Sequence, residues 1–211
     1  MQHISHHDLS GCIVSSTVEL TSEMRSDIQA TDIPRIVYLD YTTPIPIRNC
    51  YETPQTLGMD RLAAVIGAYD ETKELTGRHT PALVIDAGTA ITYDFIDARG
   101  NYRGGNISPG IEMRFKALHH YTSRLPLIAA EGKHPAIGNT TETAIRCGVM
   151  EGIRHEIEGF IRDFSVKHSN LLIFLTGGDR IEFDEQIKSR IFADKFLVAK
   201  GLNSILTHLK A

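Results

Sequence analysis

Cysteine is scarce: Cys12, Cys50 and Cys147 are the three among 211 residues. They are odd in number, scattered, and never set as C-x-x-C. That argues against a disulfide framework and a structural zinc site, and for reduced thiols in a cytoplasmic protein. Excess positive charge is also lacking; the formal net charge is -4, so no basic field invites nucleic acid. No apolar run is long enough to span a membrane. Residues 1–7 lack the basic region and apolar core of a signal peptide. Three motifs are missing as well. There is no G-x-x-x-x-G-K-[ST] loop, no H-E-x-x-H helix, and no G-x-S-x-G elbow around Ser15-Ser16, which disfavours Walker-type nucleotide enzymes, zinc proteases and serine hydrolases. His3, His6 and His7 resemble a metal cluster but read better as a solvated terminus, and His119-His120 reads as a surface pair.

What is present is ordinary for a globular chain: 42% hydrophobic and 23% charged residues. The length allows one large domain or two small ones. Apolar runs predict strands at 12–18, 35–39, 82–86, 91–96, 172–176 and 196–199, with an extended edge at 43–47 because of Pro44 and Pro46. A polar helix is expected at 21–29, capped by Thr21 or Ser22. Another should follow Gly58, with Leu62, Ala63, Val65, Ile66 and Tyr69 on one face. Residues 76–81 read as a linker, 104–110 as a glycine-punctuated loop, and 111–121 and 202–209 as helices. The clearest helix starts near Asn139, with Asn139 and Glu142 as a capping box. Ile145, Met150, Ile153, Ile157, Phe160, Ile161 and Phe164 form its buried stripe, and Arg146, Glu151, Arg154, Glu158 and Arg162 its outer face. Strands alternating with helices give an α/β class.

The chemistry concentrates in short glycine-bearing motifs. In Val84-Ile85-Asp86-Ala87-Gly88-Thr89-Ala90 an apolar strand delivers a carboxylate to its carboxyl end. Gly88 lets backbone approach a ligand, Thr89 offers a hydroxyl and an N–H to phosphate, and Asp86 can hold a cation. A plain hairpin turn explains the same residues as well. In Tyr51…Leu57-Gly58-Met59-Asp60-Arg61 the acid and the base stand at a helix start. Asp60 there is either an N-cap or a general base, and Arg61 could pair a substrate anion. Gly138-Asn139-Thr140-Thr141 reads as a cap, Thr176-Gly177-Gly178 as a strand-to-helix turn or a nucleotide contact, and Gly104 to Gly110 shares that ambiguity.

Taken together and in order, these pieces resemble the type III pantothenate kinases. The family's L-G-x-D-R is matched by Leu57 to Arg61 after Tyr51, and its D-x-G-T-A-x-T by Asp86 to Thr92. Its G-G-x-I-x-P-G is matched by Gly104 to Gly110, its A-L…T…L-P by Ala117-Leu118, Thr122 and Leu125-Pro126, its G-x-x-T…G by Gly138, Thr141 and Gly148, and its T-G-G by Thr176 to Gly178. The resemblance implies a ribonuclease-H-like, two-domain fold of the actin, Hsp70 and sugar kinase type. Residues 1–78 would form the remainder of an N-terminally incomplete first domain, and 79–211 the second. It implies transfer of the ATP γ-phosphoryl group to pantothenate, the first step of coenzyme A synthesis, in a cytoplasmic homodimer with pantothenate at its interface and no nucleic-acid or membrane partner. By resemblance Asp60 is the proton acceptor. Tyr51, Gly58, Met59, Asp60, Arg61 and Thr141 contact pantothenate, and Gly88, Thr89, Gly177 and Gly178 lie on the ATP side. Asp86 holds a monovalent cation (K+ or NH4+), and Mg2+ accompanies the nucleotide. The family's opening D-x-G-N-T/S hairpin has no counterpart; Asp8-Leu9-Ser10-Gly11 does not match it. Lacking that first phosphate cradle, the chain is expected to have little or no kinase activity. A non-catalytic member serving as a binding or transcriptional accessory protein is the alternative, and a kinase of the same superfold acting on another small alcohol a further one, which the Tyr51 to Arg61 motif disfavours.

Overall fold

A computed structural model describes residues 9–133, 135–179 and 181–210; His3, His6 and His7 lie outside them. In chain order the elements are β1 (Cys12–Val14), α1 (Ser22–Gln29), β2 (Ile36–Tyr38), β3 (Arg48–Asn49), α2 (Met59–Thr76), β4 (Ala82–Ala87), β5 (Ala90–Ile96), β6 (Asn101–Pro109), α3 (Ile111–His120), α4 (Thr141–Lys167), β7 (Leu172–Gly177), α5 (Glu185–Lys188), β8 (Ile191–Ala193) and α6 (Leu197–His208). The main sheet runs β3-β6-β5-β4-β7-β8, and β1 pairs with β2 in a separate parallel ribbon. β5 is antiparallel to β4 and β6, whereas β7 is parallel to β4 and β8 to β7. Numbered from β4, that order is 3-2-1-4-5 with the second strand reversed. This is the ribonuclease-H-like sheet, in an α/β fold of the actin and sugar kinase type.

β4 is apolar at nearly every position because helices cover both faces of the sheet. On one face α2 and α6 pack with Val84, Ile96, Tyr102 and Phe174. On the other, α3 and α4 pack with Leu83, Ile85, Ile91 and Ile173. α2 is buried continuously from Arg61 to Ala68, not on one face alone, because α6 packs closely along it as well as the sheet, with Gly67 against the Leu197 carbonyl and Gly201 against the Ala63 carbonyl. Contacts therefore join the segment before residue 78 to the one after it: α2 lies on α6 and β4, β3 pairs with β6, and the Arg35 guanidinium donates to the Leu209 carbonyl.

Five local expectations are corrected. The first strand stops at Val14, short of residue 18, because the Ser16 hydroxyl bonds both the carbonyl and the N–H of Val18 and draws the backbone into a turn. Residues 104–109 are strand, not loop: β6 continues through Gly104 and Gly105 after a bulge opposite Phe95 and Ile96. Residues 196–199 are not a strand; Leu197 to Ala199 open α6, Leu197 is fully buried, and the edge strand lies earlier, at Ile191–Ala193. The α4 cap is Thr140 with Thr143, which exchange side-chain and backbone hydrogen bonds, not Asn139 with Glu142. Arg146 does not face outward. It is 4% exposed and donates to the carbonyls of Ala129 and Lys133 and to Glu142. The polar helix capped by Thr21 does form, as Ser22–Gln29.

Candidate active site

β4 and β5 are joined by the two-residue turn Gly88-Thr89, whose Gly88 N–H donates to the Ala90 carbonyl. Asp86, one pair before that turn, faces Thr92 across the ladder and Thr176 on β7. Its carboxyl is held above the usual range, first by burial and then by the negative charges of Asp60 and Asp94. The turn, with Gly178 and Asp179 and with Glu112, Met113 and Lys116 of α3, lines a cavity of about 560 Å³. Gly177 precedes Gly178 at the end of β7. It sits at φ 101°, and a side chain there would strike the Ala87 carbonyl oxygen at 2.1 Å, so only glycine lets β7 leave the sheet beside the turn. Asp179, absent from the sequence-based site, is anchored twice. Its N–H donates to the Ala87 carbonyl at 3.0 Å, and its carboxyl, raised by burial, accepts from the Ile111 N–H at the head of α3. An acid directly after Thr176-Gly177-Gly178 is the signal that could have found it.

Tyr51, Gly58, Met59, Asp60 and Arg61 gather at the head of α2. A 3-10 turn at Pro54–Thr56 and the buried Leu57 lead into Gly58, which is the N-cap. Asp60 is therefore not the cap. It lies in the first turn, where negative charge suits the helix dipole, and accepts from the Arg61 N–H at 2.8 Å. Arg61 turns inward: its Nε and Nη2 donate to Asp94 at 3.0 and 2.6 Å, and the Tyr102 hydroxyl donates to the same carboxylate at 2.6 Å. Tyr51 lies 5.7 Å from the Arg61 guanidinium and stacks on Tyr102 at 6.2 Å. Burial would lower the Arg61 pKa, but the bonds and charge of Asp94 outweigh it and raise it; Tyr102 is raised by burial and by Asp94.

On the opposite face a second network forms. Glu156 accepts from the Tyr93 hydroxyl at 2.8 Å, from Arg114 at 2.6 Å, and from the Ser108 hydroxyl. Burial alone would raise the Glu156 pKa, yet these donors hold it below the usual range. Thr141 also belongs to this side. It is the first residue of α4 and lines an open groove of about 880 Å³ with Ala117, Leu118, Tyr121 and Leu125. The structure thus brings Asp60 close enough to Asp86 for its charge to act there, with Arg61 and Tyr51 beside Asp60, while the cavity of Gly88, Thr89 and Gly178 and the groove of Thr141 are both lined by α3. Among the described residues no group of three or more His, Cys, Asp or Glu side chains is placed to hold a metal, and no helix is long and apolar enough to cross a membrane.

A family model for type III pantothenate kinase matches residues 1–163. A type III pantothenate kinase of Bacteroides fragilis is 51% identical over 202 residues, covering 96% of this chain and 81% of that protein. One from Phocaeicola vulgatus is 50% identical over 204 residues, covering 97% and 82%. Among solved structures, a conserved candidate Baf family transcriptional activator from Campylobacter jejuni superposes with a TM-score of 0.59 at 24% identity, over 92% of this chain and 81% of that one. That likeness shows a shared fold alone.

Proposed function

Because this chain belongs to the type III pantothenate kinase family, we propose that it moves the γ-phosphoryl group of ATP to the 4′-hydroxyl of pantothenate, opening coenzyme A biosynthesis. The observation that carries this reading is the approach of Asp60, at the head of α2, to Asp86 beside the Gly88-Thr89 turn, close enough for one charge to act on the other. A base on the alcohol side and a phosphate cradle on the nucleotide side are what a phosphoryl transfer requires.

In this reading Asp60 accepts the hydroxyl proton as the oxygen–phosphorus bond forms, and the bond to the β-phosphate oxygen breaks to release ADP. Tyr51, the backbone of Gly58 and Met59, and Arg61 hold pantothenate. The Gly88 and Thr89 backbone, the Thr89 hydroxyl and Gly178 receive the phosphates, while Gly177 shapes the turn. Asp86, half-buried and within reach of the charges of Asp60 and Asp94, would hold a monovalent cation, potassium or ammonium, with backbone or nucleotide oxygens as its other ligands. Mg2+ would arrive with ATP and neutralise phosphate charge. Thr141, on the far face in an open groove, supports a homodimer in which one copy's α4 completes the other copy's pantothenate site. The reaction belongs in the cytoplasm, where Cys12, Cys50 and Cys147, all free, stay reduced. The reading as a non-catalytic accessory protein is not favoured, since the matched relatives are kinases.

The test is ADP release by the purified chain with ATP and Mg2+, with pantothenate or with other small alcohols in its place. ADP formed with pantothenate and not with the others is expected. Release indifferent to pantothenate would overturn the reading.

A further inference from the structure

Asp94 lies in the middle of β5 and is 1% exposed. A carboxylate so deep is unfavourable unless its oxygens are fully bonded. Here they are: Oδ1 and Oδ2 take the two-pronged Arg61 fork, and Oδ1 also takes the Tyr102 hydroxyl. A forked arginine–carboxylate pair fixes direction as well as distance. With one edge of the guanidinium committed to Asp94, its plane is set beside the Tyr51 ring, which Tyr102 holds by stacking. Two glycines make room for this arrangement. A side chain on Gly105 would come within 2.6 Å of the Asp94 Oδ1, and one on Gly104 within 3.3 Å of the Tyr51 ring. The glycine pair that looked like a ligand loop is thus partly a recess for Asp94 and Tyr51.

A purely structural need at this spot would be met at least as well by an apolar trio of similar volume. The charged trio instead holds Arg61, the residue next to Asp60, in one orientation. We infer that Asp94 is a positioning residue for the alcohol side of the site: it touches no substrate, and it sets pantothenate affinity by locking Arg61 against Tyr51. This rests on the reading above in which Arg61 and Tyr51 contact pantothenate.

The experiment is calorimetric titration of the full chain with pantothenate and, separately, with ATP, which needs no turnover. Asp94→Asn keeps the shape but turns a charged acceptor into an amide. It should weaken pantothenate binding about 10- to 100-fold, the range for one hydrogen bond to a charged group, and leave ATP binding unchanged. Arg61→Lys should weaken pantothenate binding similarly, and the double variant should be no weaker than Arg61→Lys alone. Tyr102→Phe, which keeps the fork, should give a smaller loss confined to pantothenate, and it decides the matter if Asp94→Asn does not fold. Folded Asp94→Asn that binds pantothenate normally while Arg61→Lys does not would overturn the inference and leave the reading of Arg61 intact. Equal losses for ATP and pantothenate would also overturn it, by showing a general structural defect. If Arg61→Lys itself binds pantothenate normally, the assignment of Arg61 fails and the inference falls with it.

Discussion

Two networks of like composition flank the same sheet. Asp94 joins Arg61 and Tyr102 on the α2 face; Glu156 joins Arg114 and Tyr93 on the α4 face. Tyr93 and Asp94 are neighbours on β5, so their side chains leave on opposite faces and the two networks begin one residue apart. Burial separates them. The Arg61 and Asp94 side chains are 8% and 2% exposed, against 20% and 25% for Arg114 and Glu156. The first network is dry, and any loss in it strands a charge. The second reaches water and also ties Ser108 of β6 and α3 to α4. Identical chemistry thus serves rigid positioning on one face and fastening of a helix on the other.

The sharpest way to break this comparison is to remove each acid. Asp94→Ala leaves Arg61 buried and unpaired and should cost about 3–5 kcal/mol of stability. Glu156→Ala, with water available to Arg114, should cost about 1–3 kcal/mol. Urea unfolding of both variants measures the difference, and equal losses would show that burial does not distinguish the networks. Removing the phenol hydroxyls is gentler: Tyr102→Phe and Tyr93→Phe should each cost about 1 kcal/mol, with Tyr102 the larger. Salt refines the contrast further. At 1 M salt the screening length is about 3 Å, so the deficit of Glu156→Ala relative to the unmodified chain should shrink while that of Asp94→Ala holds. The mildest probe is acid. The folded pKa of Glu156 is depressed, so its contribution is fully present above the unfolded glutamate value of about 4.3. It fades as pH falls through the lower folded value. Stability followed from pH 7 downward should therefore fall more steeply in this window for the unmodified chain than for Glu156→Gln.

The hairpin that carries Asp86 and Gly88-Thr89 was legible from residues alone. An apolar run ending in Asp86-Ala87-Gly88-Thr89, followed by a second run, could form little other than the β4–β5 hairpin. The Asp94 network was not legible, because Thr92-Tyr93-Asp94-Phe95 places the acid where it could equally face water, and its partner Arg61 lies 33 residues earlier. Arg146 misleads for a related reason: at helical spacing it falls on the polar face, yet loop carbonyls fold over it. The apolar run from Phe196 to Ala199 is too short for periodicity to separate strand from buried helix, and only packing of α6 on α2 decides it. Glycines in β6 look like punctuation until the side chains they accommodate are seen.

The most direct single measurement compares the unmodified chain with Asp60→Asn in ATP-dependent phosphorylation of pantothenate, with pantothenate binding followed in parallel. If Asp60 is the base, turnover of the variant falls about 10²- to 10⁴-fold, the usual contribution of a positioned general base, a loss far larger than that in its pantothenate affinity. Undiminished turnover in Asp60→Asn would contradict that assignment and with it the catalytic centre described at the head of α2.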